Sequence, residues 1–286
     1  MSSAPAGPAW PRTAADYARY RIWDCYGLLT WGRRGAGREG AGPRTMDEAY
    51  EAIRPHLDRF GFERFCALLR PTPAETPALV RSLERQPGRL LGFATVHATD
   101  LKVALDDLDR WIKDGPMVGI YLPSSAQNVP CTHPHYDPLV RRAHALGAVI
   151  QQHTWFKTQG KDSSGESTPS ELAELARRHP DIPLVCVHAG GEWEKGIRAV
   201  RDCPNVLVET SGFDPTAGFI EMAVRELGAD RIIFGSHAPS RSFGTELAKI
   251  LGAQIAEADK VRIMGGNFRR LLAPLLRRRG WPLERG

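Results

Sequence analysis

Three histidines, His153, His188 and His237, occupy equivalent places in the chain. Each closes a short apolar run: Ala148-Val149-Ile150-Gln151-Gln152-His153, Leu184-Val185-Cys186-Val187-His188 and Arg231-Ile232-Ile233-Phe234-Gly235-Ser236-His237. Neutral imidazole is the commonest zinc ligand, and three protein ligands with one position left to water make a catalytic metal site. Such a metal lowers the pKa of its water to about 7. Without a metal, the same rings are candidate general acids and bases. Asp24 and Glu209 also fall near run ends, where a carboxylate serves as base or orients a histidine. Glu192 reads first as a helix-start charge and Glu166 as a loop charge. Tyr121, Trp155, Lys157 and Arg241 lie at or just past run ends. Aromatics there wall off a pocket, and the two cations would hold a carboxylate or phosphate. Together they point to a small, anionic, partly apolar substrate.

A rival cluster is Cys131-Thr132-His133-Pro134-His135. Alternate side chains of an extended segment share a face, which suits metal ligands. These residues lie away from any run end, and Pro134 fixes their backbone. Loop packing, with His135 capping or touching Tyr136, is the reading favoured here.

The elements that must position these side chains are legible as eight apolar runs: 21–26, 62–69, 89–96, 117–122, 148–153, 183–188, 205–209 and 231–234. Between them lie amphipathic stretches. Thr45, Asp100 and Thr168 each precede one as N-cap, with Glu48 and Glu171 three residues after Thr45 and Thr168. Further helices are predicted over 13–20, 73–85, 137–146, 215–227, 244–251, 257–264 and 267–276, and one after Gly191 reaching Val200. Strands alternating with helices at a spacing of roughly thirty residues predict a parallel (β/α) array. Eight units favour a closed TIM barrel, in which strand C-termini carry the chemistry. No GxGxxG or GxxxxGK[ST] follows the first run, which removes support from the nucleotide-binding open sheets. The expected organisation is a disordered tail over 1–15 and one α/β domain, a (β/α)8 TIM barrel with C-terminal helices, over 16–286. A flexible loop is expected over 32–44, a stretch holding five glycines and four arginines.

Composition narrows the function classes. At 286 residues, 42% hydrophobic and 25% charged, the chain suits one large barrel. The net charge of +5 is spread out, with no basic stripe or aromatic platform to suggest nucleic acid. No run approaches a membrane span, and residues 1–11 lack the pattern of a signal peptide. Five scattered cysteines without CxxC spacing predict free thiols in a reducing, cytoplasmic setting.

Several of these pieces together resemble the amidohydrolase-related branch of the amidohydrolase superfamily, the branch of aminocarboxymuconate semialdehyde decarboxylase. They are Ile22-Trp23-Asp24-Cys25, Tyr136-Asp137-Pro138 through Gln152-His153-Thr154, Val187-His188-Ala189-Gly190-Gly191, Phe234-Gly235-Ser236-His237-Ala238-Pro239 and Met264-Gly265-Gly266-Asn267. The resemblance implies a barrel, a divalent metal (usually zinc), hydrolysis or non-oxidative decarboxylation, and by analogy a homodimer. It carries over His153 as a metal ligand and His188 as a ligand or acid/base. The family's strand-one HxH pair would fall on Tyr26 and Leu28, its strand-eight aspartate on His237, and a frequent strand-four lysine on Tyr121. His237 therefore either rebuilds a three-histidine zinc site with His153 and His188 or belongs to a pocket without metal. The first expectation is a metal-dependent hydrolase of a small anionic amide, ester or lactone. The second is a decarboxylase of a small aromatic or muconate-like acid, and the third a metal-free, non-catalytic ligand-binding barrel.

Overall fold

The computed structural model describes residues 10–29, 45–68, 76–86, 88–124, 128–157, 165–212 and 216–283. Eight strands form one sheet in sequence order: β1 (Trp23–Leu28), β2 (Arg64–Leu68), β3 (Leu90–Thr95), β4 (Gly119–Leu122), β5 (Val149–His153), β6 (Leu184–Val187), β7 (Val206–Glu209) and β8 (Ile232–Ile233). Every neighbouring pair is parallel. Backbone bonds past the short β8 close the ring onto β1: Cys25 N to Phe234 O at 3.0 Å, His237 N to Tyr26 O at 2.7 Å and Leu28 N to Ala238 O at 2.8 Å. The fold is the (β/α)8 barrel expected from the strand–helix alternation.

The helices follow in order: α1 (Ala14–Ala18), α2 (Met46–Arg59), α3 (Thr76–Arg85), α4 (Leu101–Leu108), α5 (Tyr136–Ala145), α6 (Pro169–Arg178), α7 (Trp193–Val200), α8 (Phe219–Leu227), α9 (Phe243–Leu251), α10 (Glu257–Val261) and α11 (Asn267–Arg278). The expected caps form. Thr45, Asp100 and Thr168 side chains accept from the backbone N–H three residues on, and Glu171 completes the box at Thr168. Thr13 and Asp16 build a second box, so α1 begins inside the stretch assigned to the tail, and Tyr17 packs edge-on against Phe60 at 5.4 Å. Residues 1–9, the loop expected over 32–44 and the starts of two predicted helices (73–75 and 215) lie outside the described residues.

Two apolar layers hold the barrel. One lies between sheet and helices; the other fills the interior, where Cys25, Leu91, Val149, Val185, Leu207 and Ile233 meet. Phe268 of α11 plugs the lower end, stacked on Phe93 and edge-on to Trp23, both at 6.4 Å. Each fully buried ring of this kind contributes about 1.5–3 kcal/mol over leaving it exposed. All five cysteines are buried free thiols. No helix of the described residues is long and apolar enough to cross a membrane.

Candidate active site

The three histidines arrive at the same end of the barrel. His153 is the last residue of β5; its carbonyl is held by Ser124 Oγ at 2.9 Å and Gln152 Nε2 at 2.8 Å. His188 follows β6 with φ at +66°, a left-handed backbone that a non-glycine residue adopts only under constraint. Thr154 Oγ1 donates to the His188 carbonyl at 2.7 Å, fixing that bend to the end of β5. His237 follows β8, also left-handed at +49°, and its N–H is bonded into β1 through Tyr26 O. The His153 and His188 ring centroids stand 5.0 Å apart, and those of His188 and His237 5.4 Å apart.

His188 is oriented from behind. Its Nδ1 lies 2.7 Å from Ser211 O and 3.0 Å from Glu209 Oε2, so Nδ1 carries the proton and donates it towards β7. Glu209 is fully buried; its Oε1 accepts from Ser211 N at 2.7 Å and its Oε2 from His188 N at 3.3 Å. Burial pushes the Glu209 carboxyl up to about 7, against the hydrogen bonds from Ser211 that lower it. Two glycines make room for this pair. A Cβ on Gly212, where φ is +103°, would sit 2.3 Å from His188 Nδ1, and one on Gly235 would sit 2.1 Å from Glu209 Oε1.

Asp24 does a different job. Its Oδ1 accepts from Tyr26 N at 3.0 Å and Ser236 N at 2.9 Å, stitching β1 to the segment after β8. It is fully buried, and burial pushes its carboxyl up to about 7. The structure places it at the seam beneath the histidines. Glu209, by contrast, touches one of them.

Of the remaining residues singled out from the sequence, Trp155, Tyr121 and Arg241 lie beside the same rings. Trp155 meets His188 edge-on at 5.9 Å, and Tyr121 meets His153 edge-on at 6.4 Å. Lys157 pairs with Glu166 at 2.9 Å, which brings both side chains together in one ion pair. Arg241 donates from Nη2 to Gly212 O at 3.0 Å, anchoring a cation beside the His188 loop. Glu192 takes the N-cap position of α7 without a side-chain capping bond, and Lys195 lies 3.4 Å away.

Tyr26 is the side chain that sequence reasoning undervalued. Its ring stacks on His237 (5.2 Å, 25°), stands edge-on to His188 (5.2 Å) and tilts against Tyr121 at 5.8 Å. The two phenol oxygens are 3.3 Å apart. The available signal was its position two residues after Asp24, where the family pattern has its first strand-one histidine.

Whether these residues fit a metal depends on donor type and on placement. Imidazoles sharing one zinc at ~2.0–2.1 Å from each nitrogen would have ring spacings close to those seen, and an outer acceptor on Nδ1 is the usual support for a ligating histidine. Yet among the described residues no three histidine, cysteine or acidic side chains are placed to hold one ion. The Tyr26 ring occupies the corner between His188 and His237, and Leu28 brings no donor. The donor types fit a divalent cation, while the placement does not close on one. The three histidines expected from the sequence to share one metal therefore stand together as a cluster of rings, in a placement that does not close on one ion.

The rival loop cluster packs as a loop. The His133 and His135 rings touch at 4.4 Å, His133 Nδ1 accepts from His135 N, and His135 Nδ1 lies 2.7 Å from Ala98 O. His135 takes the N-cap position of α5 but its side chain bonds to Ala98, not into the helix. Burial pushes the Cys131 thiol up to about 12, too high for a ready thiolate.

Comparison with known proteins places this geometry. The γ-resorcylate decarboxylase of Rhizobium sp. (strain MTP-10005) is 24% identical over 239 residues, 68% of this chain and 73% of that protein. The dihydroxybenzoic acid decarboxylase of Polaromonas sp. JS666, solved with manganese and the inhibitor 2-nitroresorcinol, superposes with a TM-score of 0.62 at 20% identity, covering 78% of this chain and 85% of that one. A probable 2-pyrone-4,6-dicarboxylic acid hydrolase of Acinetobacter baumannii, with citric acid bound, superposes with a TM-score of 0.61 at 16% identity, covering 88% and 99%. These two likenesses establish a shared fold. The amidohydrolase family model matches residues 18–273, from α1 to α11, and this span takes in all eight strands and every histidine of the cluster; the chain belongs to the amidohydrolase family.

Proposed function

We propose that this amidohydrolase-family enzyme is a lyase, a non-oxidative decarboxylase of a small aromatic acid. Of the two reactions expected from the sequence, hydrolysis and decarboxylation, the second has the better support. The curated relatives matched over two thirds of the chain are γ-resorcylate decarboxylases. The observation that carries the reading is the His188 ring held by Ser211 O and Glu209, within a cluster of aromatic rings and with Arg241 anchored beside it.

Decarboxylation breaks the bond between ring carbon and carboxylate, releases carbon dioxide, and leaves an electron pair on carbon that must take a proton. His188 would be the acid. Its Nδ1–H is committed to Ser211 O and Glu209, which leaves Nε2 to hold the transferred proton. Glu209 and Ser211 O together hold the ring from the β7 side. Trp155 and Tyr121 would flank an aromatic ring, and Lys157 and Arg241 would draw the acid to the mouth by charge.

A second, metal-loaded form of the proposal is supported by the ring spacing and by the manganese in the Polaromonas neighbour. In it the rings of His153, His188 and His237 would have to close further on a divalent cation, whose chemistry would be Lewis-acid polarisation of the acid's oxygens. An all-nitrogen set suits zinc better than manganese.

Purified protein incubated with 2,6-dihydroxybenzoate, alongside elemental analysis of the same sample, tests both forms. Carbon dioxide release without bound metal supports the acid mechanism; release that tracks about one metal per chain, lost in His153→Ala, supports the loaded form. Turnover of a lactone or amide with no decarboxylation of any aromatic acid would return the function to hydrolysis. Binding of the aromatic acid without turnover would make the protein a ligand-binding barrel.

A further inference from the structure

A large cavity lies at the far end of the barrel from the histidines. It encloses about 570 Å³ beneath the N-terminal ends of β5 to β8, under α11. Its size falls in the range of small-molecule sites. Val149, Leu207 and Leu271 give it apolar walls, and Arg231, Arg270 and Arg278 bring three guanidiniums to it.

Among the described residues none of these arginines has a carboxylate at ion-pair distance. Arg231 donates to four backbone carbonyls, of Val200, Arg201, Cys203 and Val206, at 2.7–2.9 Å. Arg270 Nη2 donates to Asp230 O and Asn267 Oδ1, and Arg278 Nη2 to Leu146 O. Among the described residues that line the cavity, Asp230 alone carries a carboxylate; it is largely exposed and leans to Arg262 at 3.8 Å. The Arg278 guanidinium is seated by Gly147: with φ at +71°, a Cβ there would lie 2.9 Å from Arg278 Nη2. Backbone carbonyls take four of the five donors of Arg231, whereas Arg270 and Arg278 use only two and one of theirs. These bonds do not explain three cations collected around one apolar-walled hollow with five guanidinium N–H groups apiece.

We propose that this basal cavity binds a small organic acid, its carboxylate forked by Arg270 and Arg278 and its apolar body against Leu207 and Leu271. A planar guanidinium matches a carboxylate through two parallel bonds, and an apolar body accounts for walls that a bare inorganic anion would not need. The site is independent of the reaction proposed at the other end of the barrel.

The test is methyl NMR of the full chain titrated with benzoate, and separately with inorganic phosphate. Saturable shifts of the Leu207 and Leu271 methyls with benzoate are expected in the native protein and in His188→Ala, since the mouth is not involved. The Arg270→Ala/Arg278→Ala variant, altered at two exposed positions, should bind at least ~tenfold more weakly, and Arg270→Lys/Arg278→Lys should fall between. Silent methyls, shifts unchanged in the double alanine variant, or phosphate binding as tightly as benzoate would each overturn the assignment.

Discussion

At the scale of single residues, the site is a problem of holding imidazole rings still. His188 has its Nδ1 held by acceptors at Glu209 and Ser211 and its backbone held by Thr154, so the acid role proposed for it rests on orientation. His188→Ala should lower kcat by about 10²–10⁴-fold with a smaller change in KM, as steady-state kinetics would show. Gly212→Ala should do similar damage indirectly. Its Cβ would fall on the His188 ring at a left-handed φ, and denaturant unfolding should show a loss of about 1–3 kcal/mol alongside the loss of turnover. His153, His188 and His237 were legible from the sequence because each ends an apolar run. Asp24 was legible as a residue but not as a stitch between β1 and β8, since its partners Tyr26 N and Ser236 N are backbone groups brought together only by closure. Tyr26 escaped for the same reason. Its neighbours come from β4, β6 and β8, and no local pattern reports a stack assembled from four strands.

At the scale of elements, the strand–helix alternation was readable because buried parallel strands are continuous apolar runs. The exceptions have physical causes. β8 is only Ile232–Ile233, since the chain beyond it bonds to β1 while already bending into the His237 turn. The helix capped by Asp100 passes after Leu108 into a π-helical turn over Asp109–Lys113, and another such turn, Arg262–Gly266, joins α10 to α11. Asn267, the end of the glycine-rich C-terminal signature, donates from Nδ2 to Ala229 O at 2.7 Å and Ile232 O at 2.8 Å, pinning α11 to the start of β8. That signature is therefore a structural clamp. Asn267→Ala, which leaves two buried carbonyls without these donors, should lower the urea midpoint by an amount equivalent to about 1–3 kcal/mol.

At the scale of the whole molecule, three buried carboxylates, Asp24, Glu209 and Glu246, line the β7–β8–β1 side of the barrel, each pushed up to about 7 chiefly by burial. Lys249, 2.8 Å from Glu246, is the buried cation beside them. The sign of the pH dependence follows from the protons bound. Between the unfolded values near 4 and the folded values near 7, the folded chain holds more protons than the unfolded one, so stability falls as pH rises through that window and levels above it. Urea midpoints should be higher at pH 5.5 than at pH 8, and Glu246→Gln should flatten the slope; a midpoint that climbs across this range would show these carboxyls ionised in the fold.

The central claim is that a histidine of the mouth delivers a proton to carbon as carbon dioxide leaves. Turnover of 2,6-dihydroxybenzoate in deuterated water, read by mass and proton NMR of the product, tests it most directly. The account predicts resorcinol with one deuterium at the carbon that lost the carboxylate, formed by the native protein and reduced at least ~100-fold in His188→Ala. Intact substrate in the native sample, or equal labelled product from His188→Ala, would contradict it.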